Sequence, residues 1–304
     1  MTINRRNLLV SAPLAAAALV ASPLPAGAYT KPANKNLKWA VSTNIWDQAR
    51  APYAVTLDDM KATGFTGIRL RGFPGILERW GLTQAQLQTE LSKRGLNAVT
   101  ISFSGLSPDP AQRQKVLDSA REAMKFLADF GATHLVVFSP GRKPENMTPE
   151  AFKQFCERCN QIGEIAGGMG FTAGLHNHMG QMVQGPEEVD RFMAMTDPKL
   201  FGLSPDTAHL HLGGCDVVQT LNRYKDRIRF LDYKDAKRGQ KDFRDSIFDL
   251  GDGEIDFQAC HRVLKSVNYK GWICVDLDTA RLGPRADYER CGDYVVNKLQ
   301  PIYL

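Results

Sequence analysis

The sequence predicts an α/β fold: a single (β/α)8 barrel preceded by a cleavable signal peptide. Three features carry the prediction. After Asn36 the chain alternates short β-rich runs with amphipathic stretches, eight of each, the pattern of parallel βαβ units. Prolines and glycines punctuate these stretches where helices begin and end. Ahead of them, two arginines lead a short apolar run. Eight repeats in about 270 residues match the size of a closed barrel.

The strand-like runs are 37–42, 65–70, 97–103, 134–138, 171–176, 200–206, 228–233 and 272–277, and the helical patterns are 56–63, 83–93, 110–130, 149–169, 186–195, 217–224, 257–267 and 285–299. Pro110, Pro149, Pro186 and Pro284 lie at or near helix starts, where a missing N–H costs nothing. Gly64, Gly95, Gly131, Gly170 and Gly271 fall between a helix and the next strand, as residues that end helices in the left-handed conformation do. In the fourth helix Phe152, Phe155, Cys159, Ile162, Ile165 and Ala166 form one apolar stripe. An open doubly wound sheet is the competing architecture. It would want a glycine-rich phosphate turn after the first strand, where the chain reads Asn44-Ile45-Trp46-Asp47.

At the N-terminus, Arg5 and Arg6 precede residues 8–20, which are apolar apart from Ser11 and Pro13, and small residues follow up to Ala28. This order predicts a secretory signal cleaved after Ala28 and a periplasmic or secreted protein. The run is short for a membrane span, which needs about 20 apolar residues. The adjacent arginines suggest the twin-arginine route, which exports folded proteins; a general secretory signal is the other reading. The barrel is expected over residues 37–300.

With 43% hydrophobic and 23% charged residues the chain is of ordinary globular composition. Removing residues 1–28, which hold two arginines and no acid, lowers the net charge from +5 to +3. Basic and acidic residues are interspersed without a Lys/Arg stripe, which argues against nucleic acid as a partner, and no later segment is apolar enough to span a membrane. Homo-oligomerisation is left open. Six cysteines could pair in an oxidising compartment, and Cys156-x-x-Cys159 reads as two ordinary helix cysteines because no second pair stands at zinc-ribbon spacing.

Barrel active sites form at the C-terminal ends of the strands. Here the fifth strand ends in His176-Asn177-His178 and the sixth in Asp206-Thr207-Ala208-His209-Leu210-His211. The seventh ends in Asp232-Tyr233-Lys234-Asp235, with Arg238 following, and the eighth carries Asp276-Leu277-Asp278. A lone strand-end Asp usually caps the next helix, but four consecutive strands bring carboxylates and imidazoles to one rim. Mixed O and N ligands suit Mn2+, Co2+, Zn2+ or Fe2+ better than Ca2+, and Mg2+ also belongs among the candidate cations.

At these residues the chain resembles the xylose isomerase-like TIM-barrel superfamily (sugar phosphate isomerase/epimerase family). Asp206-Thr207-Ala208-His209 is similar to its Asp-x-x-His, and Asp232-Tyr233-Lys234-Asp235 to its His-x-Lys-Asp with Asp in place of His. Gly251-Asp252-Gly253-Glu254-Ile255-Asp256 is similar to its Gly-x-Gly-x-Ile-Asp loop, and Gly271–Asp276 to a final strand that normally ends in Glu. The run His176-Asn177-His178-Met179-Gly180 and Met195-Thr196-Asp197-Pro198 resemble the inosose dehydratase branch in particular.

The resemblance implies metal ligation by His176, Asp206, Asp232 and Asp276. It also implies that His209 contacts substrate or orients a ligand, and that Arg238 contacts substrate; Lys234 is a further candidate substrate contact. Near neutral pH His176 or His178 is the candidate base, with Asp276 or His209 as its partner. It departs where the epimerases carry two glutamates, here His176 and Asp276, and where the second strand often carries Glu, here Arg69. The expected function is metal-dependent proton abstraction beside the carbonyl of a keto-sugar, keto-glycoside or inosose. The unequal His/Asp pair leans it toward elimination. A catalytically inactive sugar-binding barrel is the alternative, and a metal-dependent nuclease lacks the extra ligands and the basic groove it would need.

Overall fold

The computed structural model describes residues 32–33 and 36–303; the expected signal over residues 1–28 lies outside them. The strands are β1 (Lys38–Ser42), β2 (Gly67–Leu70), β3 (Asn97–Phe103), β4 (His134–Phe138), β5 (Thr172–His176), β6 (Gly202–Leu203), β7 (Leu231–Tyr233), β8 (Asp235–Ala236), β9 (Ile247–Phe248) and β10 (Trp272–Val275). Eight of them form one parallel sheet in the order β6-β5-β4-β3-β2-β1-β10-β7, and β8 pairs with β9 as a separate antiparallel ribbon. Parallel bridges Leu203↔Ile228 and Asp206↔Asp232 join the two outer strands. The sheet is therefore a closed eight-stranded barrel with β10 as its eighth strand.

Because side chains alternate along a strand, each barrel strand sends one set outward and the other inward. The outward set, including Val41, Ile68, Leu135, Leu175, Leu231 and Val275, is buried with the helices in one large core. The inward set forms a smaller cluster of Ala40, Val99, Val136, Phe230 and Cys274 that plugs the barrel. Gly67 is required in this plug, since a Cβ there would come 2.5 Å from the Trp272 ring. Two residues further along the strands the same face presents His176, Asp232 and Asp276. The plug is the floor of the site.

The helices follow their start signals. Thr83, Thr148, Asp206, Asp216 and Asp256 each accept a backbone N–H in the first turn of the helix they precede. Among the helices, expectation and structure differ at four places. The pattern 110–130 divides into a 3-10 turn, Pro110–Gln112, and a helix, Arg113–Ala128. The pattern 285–299 forms a helix, Pro284–Tyr294, that loosens into a π turn, Val295–Leu299, before a last short helix, Gln300–Tyr303. Short helices at Asn44–Gln48, Gly75–Trp80 and Thr207–Leu212 lie in strand-to-helix connections and are too short to show a period.

Gly271 is the fourth difference, since it does not end a helix in the left-handed conformation. Asn268 makes the positive-φ turn (φ 51°), and Gly271 is needed because a Cβ would overlap the Tyr269 ring. All six cysteines are free and buried. Cys156 and Cys159 lie on the helix Pro149–Gly168, and burial pushes the Cys156 thiol up to about 12. Among the described residues no helix is long and apolar enough to cross a membrane.

Candidate active site

The C-terminal mouth of the barrel gathers His176, His178, Asp206, His209, Asp232, Lys234 and Asp276, together with Arg69 from β2. All of these residues are buried except His178, which is half-buried.

Local structure fixes each group. Asn177 points away from the barrel axis and stitches β5 to β6: its Oδ1 accepts from Asp206 N (3.0 Å) and its Nδ2 donates to Asp206 O (3.3 Å). Asp206 Oδ1 accepts from His209 N (3.1 Å), so the strand-end Asp caps the helix Thr207–Leu212 and seats His209 one turn later. Thr207 Oγ1 donates to Lys234 O (2.8 Å) and accepts from Lys234 N (2.9 Å). The His-x-Lys-Asp-like and Gly-x-Gly-like segments lock together, because Asp235 accepts N–H groups from Gly251 (2.9 Å), Gly253 (2.9 Å), Ile255 (3.2 Å) and Ala236 (2.9 Å). That anion nest anchors the β8–β9 ribbon, whose connection carries Phe243 over the site, stacked on His209 at 4.9 Å.

Two cations run through the acids. Lys234 Nζ lies 2.6 Å from Asp278 Oδ2, 2.7 Å from Asp276 Oδ2 and 3.0 Å from Asp206 Oδ2. Arg69 reaches Asp276 Oδ2 (2.8 Å), Asp232 Oδ1 (3.3 Å) and, as a donor, Ser102 Oγ (3.0 Å). Burial opposes ionisation of Asp276, but Lys234 and Arg69 hold it well below the usual carboxylate range. Burial raises Asp206 and Asp232 to about 6. Burial also keeps the imidazoles neutral, lowering His176 to about 3 and His178 to about 4.

The histidines have distinct roles. His178 Nδ1 donates to Met179 O at 2.6 Å, which leaves the lone pair on Nε2. His209 Nδ1 accepts from Met179 N at 3.3 Å, which places its ring proton on Nε2. The two rings lie against each other, tilted by 35° with centroids 3.7 Å apart. His176 Nδ1 lies 2.9 Å from Asp232 Oδ2 but outside hydrogen-bond alignment.

Among the described residues twelve buried side-chain N and O atoms have no hydrogen-bond partner, and seven belong to this cluster: Arg69 Nε, His176 Nδ1, Asp206 Oδ2, His209 Nε2, Asp276 Oδ1 and both Asp232 oxygens. Orphaned polar atoms concentrated in one place mark a binding centre. Ligand atoms of His176, Asp206 and His209 lie within 4.8 Å of one another. The four carboxylates exceed the two cations by two formal charges, so this set fits a divalent cation. Coordination through His209 Nε2 would displace the Met179 N–H from Nδ1. Of the four expected ligands, His176 and Asp206 belong to that triad, whereas Asp232 and Asp276 face Arg69.

Arg238, expected at the substrate, is engaged by backbone carbonyls. Its guanidinium donates to His211 O (2.7 and 3.0 Å) and Cys215 O (3.3 Å), closing the end of the helix Thr207–Leu212. The sequence reading placed no role on Phe243 or on Phe138, whose ring stacks on His176 at 4.1 Å. Nor did it join Asp278 to Asn44, whose Nδ2 donates to it at 2.6 Å.

Residues 57–290 match the model of the family described as xylose isomerase-like TIM barrel. The chain belongs to that family. It is 29% identical to the inosose dehydratase of Lactiplantibacillus plantarum over 280 residues, covering 81% of this chain and 90% of the relative. It is 31% identical to the inosose dehydratase of Bacillus licheniformis over 252 residues, 73% of this chain and 79% of the relative. Solved structures share the fold at lower identity. The IolI protein with a bound zinc atom superposes with a TM-score of 0.72 at 15% identity, over 88% of this chain and 99% of that one. The 3-keto-D-glucoside 4-epimerase YcjR of E. coli gives 0.66 at 18% identity, over 84% and 97%.

Proposed function

We propose that this barrel is a sugar-acting lyase that removes the proton beside the carbonyl of a keto-sugar, keto-glycoside or inosose and then expels a β-hydroxyl or alkoxide. The observation that carries the reading is the inequality of the groups facing the centre. The imidazoles are neutral, while Asp276 is pulled well below the usual carboxylate range by Lys234 and Arg69 against the effect of burial. Epimerisation needs two groups that exchange acid and base roles. Asp276, held ionised by two cations, does not donate a proton near neutral pH.

His178 is the base of this reading, because Met179 O holds its Nδ1–H and leaves Nε2 as an acceptor. The C–H proton passes to His178 Nε2, the carbon–oxygen bond at the β position breaks, and the leaving oxygen takes a proton from the His178 imidazolium so formed or from solvent. The Lys234 ammonium, fixed by Asp206, Asp276 and Asp278, offers preorganised positive charge to the enolate oxygen. Phe138 and Phe243 wall the site with apolar rings suited to a sugar's C–H face. A divalent cation held by His176, Asp206 and His209, of the Mn2+, Co2+, Zn2+, Fe2+ or Mg2+ group, supplies Lewis-acid polarisation of the carbonyl when bound. The relatives named inosose dehydratase favour the elimination branch. If residues 1–28 act as an export signal, the substrate is a free keto-sugar met outside the cytoplasm.

The test is product analysis by NMR. The protein is incubated with Mn2+ or Zn2+ and offered inososes and 3-keto-glucosides. A dehydrated ring or a released aglycone is expected. Clean epimer interconversion would contradict the elimination, and saturable binding without turnover would favour a binding barrel.

A further inference from the structure

We infer that Arg69 decides which side chains of the centre a divalent cation can reach, confining it to His176, Asp206 and His209. The inference rests on the reading above that the centre takes such a cation. It concerns a residue that no motif of the site contains.

Arg69 projects inward from β2, which β1 alone separates from β10, toward the strand ends that carry the acids. Its three donor directions reach Asp276 Oδ2 at 2.8 Å, Asp232 Oδ1 at 3.3 Å and Ser102 Oγ at 3.0 Å. A guanidinium stays charged at any pH a protein survives, and its planar fork suits two carboxylates at once. Asp276 Oδ2 is engaged a second time by Lys234 Nζ at 2.7 Å. A divalent cation at Asp232 or Asp276 would therefore sit against one or two fixed positive charges. On the His176–Asp206–His209 side Lys234 stands 3.0 Å from Asp206 Oδ2 and Arg69 acts only through its field, without an ion pair or hydrogen bond, and there the ligand atoms lie within 4.8 Å of one another.

Neutralising Arg69 releases Asp232 and leaves Asp276 to Lys234 alone, which opens the three-ligand centre to a fourth ligand and adds a net negative charge. Arg69 thus acts as a positioning residue, trading affinity for a cation with open coordination positions.

The experiment is calorimetric titration of the purified chain with Mn2+ alone, repeated with Co2+ while the visible absorption is followed. Arg69→Gln should bind Mn2+ at least about tenfold more tightly, the scale on which single groups around a metal change affinity, and its Co2+ spectrum should change. Asp276→Asn should bind within about threefold of the unsubstituted chain, and Asp206→Asn should lose about tenfold or more. Unchanged or weaker binding by a folded Arg69→Gln would overturn the inference, as would an Asp276→Asn loss equal to that of Asp206→Asn. If Arg69→Gln does not fold, the Asp276→Asn and Asp206→Asn comparison decides alone. If the unsubstituted chain binds no Mn2+, the cofactor part of the functional reading fails. The role of Arg69 then stands if Arg69→Gln gains binding and falls if it does not.

Discussion

Arg69 Nη2 lies 2.8 Å from Asp276 Oδ2, with both side chains buried. Removing one member of a buried ion pair leaves the other charge uncompensated, which costs about 3–5 kcal/mol. Asp276→Ala should fall at the lower end, because Arg69 keeps Asp232 and Lys234 keeps Asp206 and Asp278. Urea denaturation measures it. A loss under about 1 kcal/mol would mean that solvent screens the pair.

The β8–β9 ribbon depends on a glycine. A Cβ on Gly253 would overlap the Asp235 carboxylate that receives its N–H. Gly253→Ala should therefore unseat the loop, destabilise the fold by about 2 kcal/mol as lost buried hydrogen bonds do, and raise KM through displacement of Phe243. Phe243→Ala should raise KM while leaving the melting temperature nearly unchanged. Steady-state kinetics beside thermal melts separate the two variants.

Acid sensitivity has a traceable source in His134, buried between Thr172 Oγ1 (2.8 Å) and Ser204 Oγ (2.9 Å). Burial, helped by Arg229, lowers it from 6.5 to about 3. Below pH 6.5 the unfolded chain takes up a proton that the folded chain refuses. Stability therefore falls as pH drops from 6.5 toward about 3, by up to about 1.4 kcal/mol per unit. Asp206 and Asp232, raised to about 6, act in the opposite sense above their ordinary value. Comparison with His134→Gln isolates the histidine: the variant's stability should fall less steeply by up to one proton. Parallel curves would refute the assignment.

In the metal-free protein the two neighbouring histidines should show opposite tautomers in long-range 1H–15N spectra, with the proton on Nδ1 of His178 and on Nε2 of His209. His178→Ala should lower kcat by about 10²–10⁴-fold, the range of a lost general base, with a smaller change in KM. A His178→Ala enzyme of near-normal kcat would remove His178 from the chemistry.

Much of the fold was legible because a barrel writes itself twice into a sequence, in the alternation of β-rich runs with amphipathic stretches and in their punctuation. The expected runs 97–103 and 134–138 coincide with β3 and β4. The run 200–206 shrinks to a two-residue β6, since its later residues turn into the cap of the next helix. The residues at the mouth were legible for the same reason, as strand ends.

Their partnerships were not. Arg69 meets Asp232 and Asp276 only because β2, β7 and β10 share one interior. Arg238 turns to a helix end that the sequence did not announce, and the two histidine tautomers depend on the backbone of Met179. Phe243 sits in a loop without period. The signal expected over residues 1–28 lies outside the described residues.

The central claim, proton abstraction beside a carbonyl at this mouth, is tested most directly by deuterium exchange. An inosose or 3-keto-glucoside is incubated in D2O with the protein and Mn2+ and followed by 1H NMR. The account predicts loss of the α-proton signal at or before the rate of product formation, with the rate collapsing in Asp206→Asn and His178→Ala. No exchange with any keto-sugar, or exchange unaltered in both variants, would contradict it.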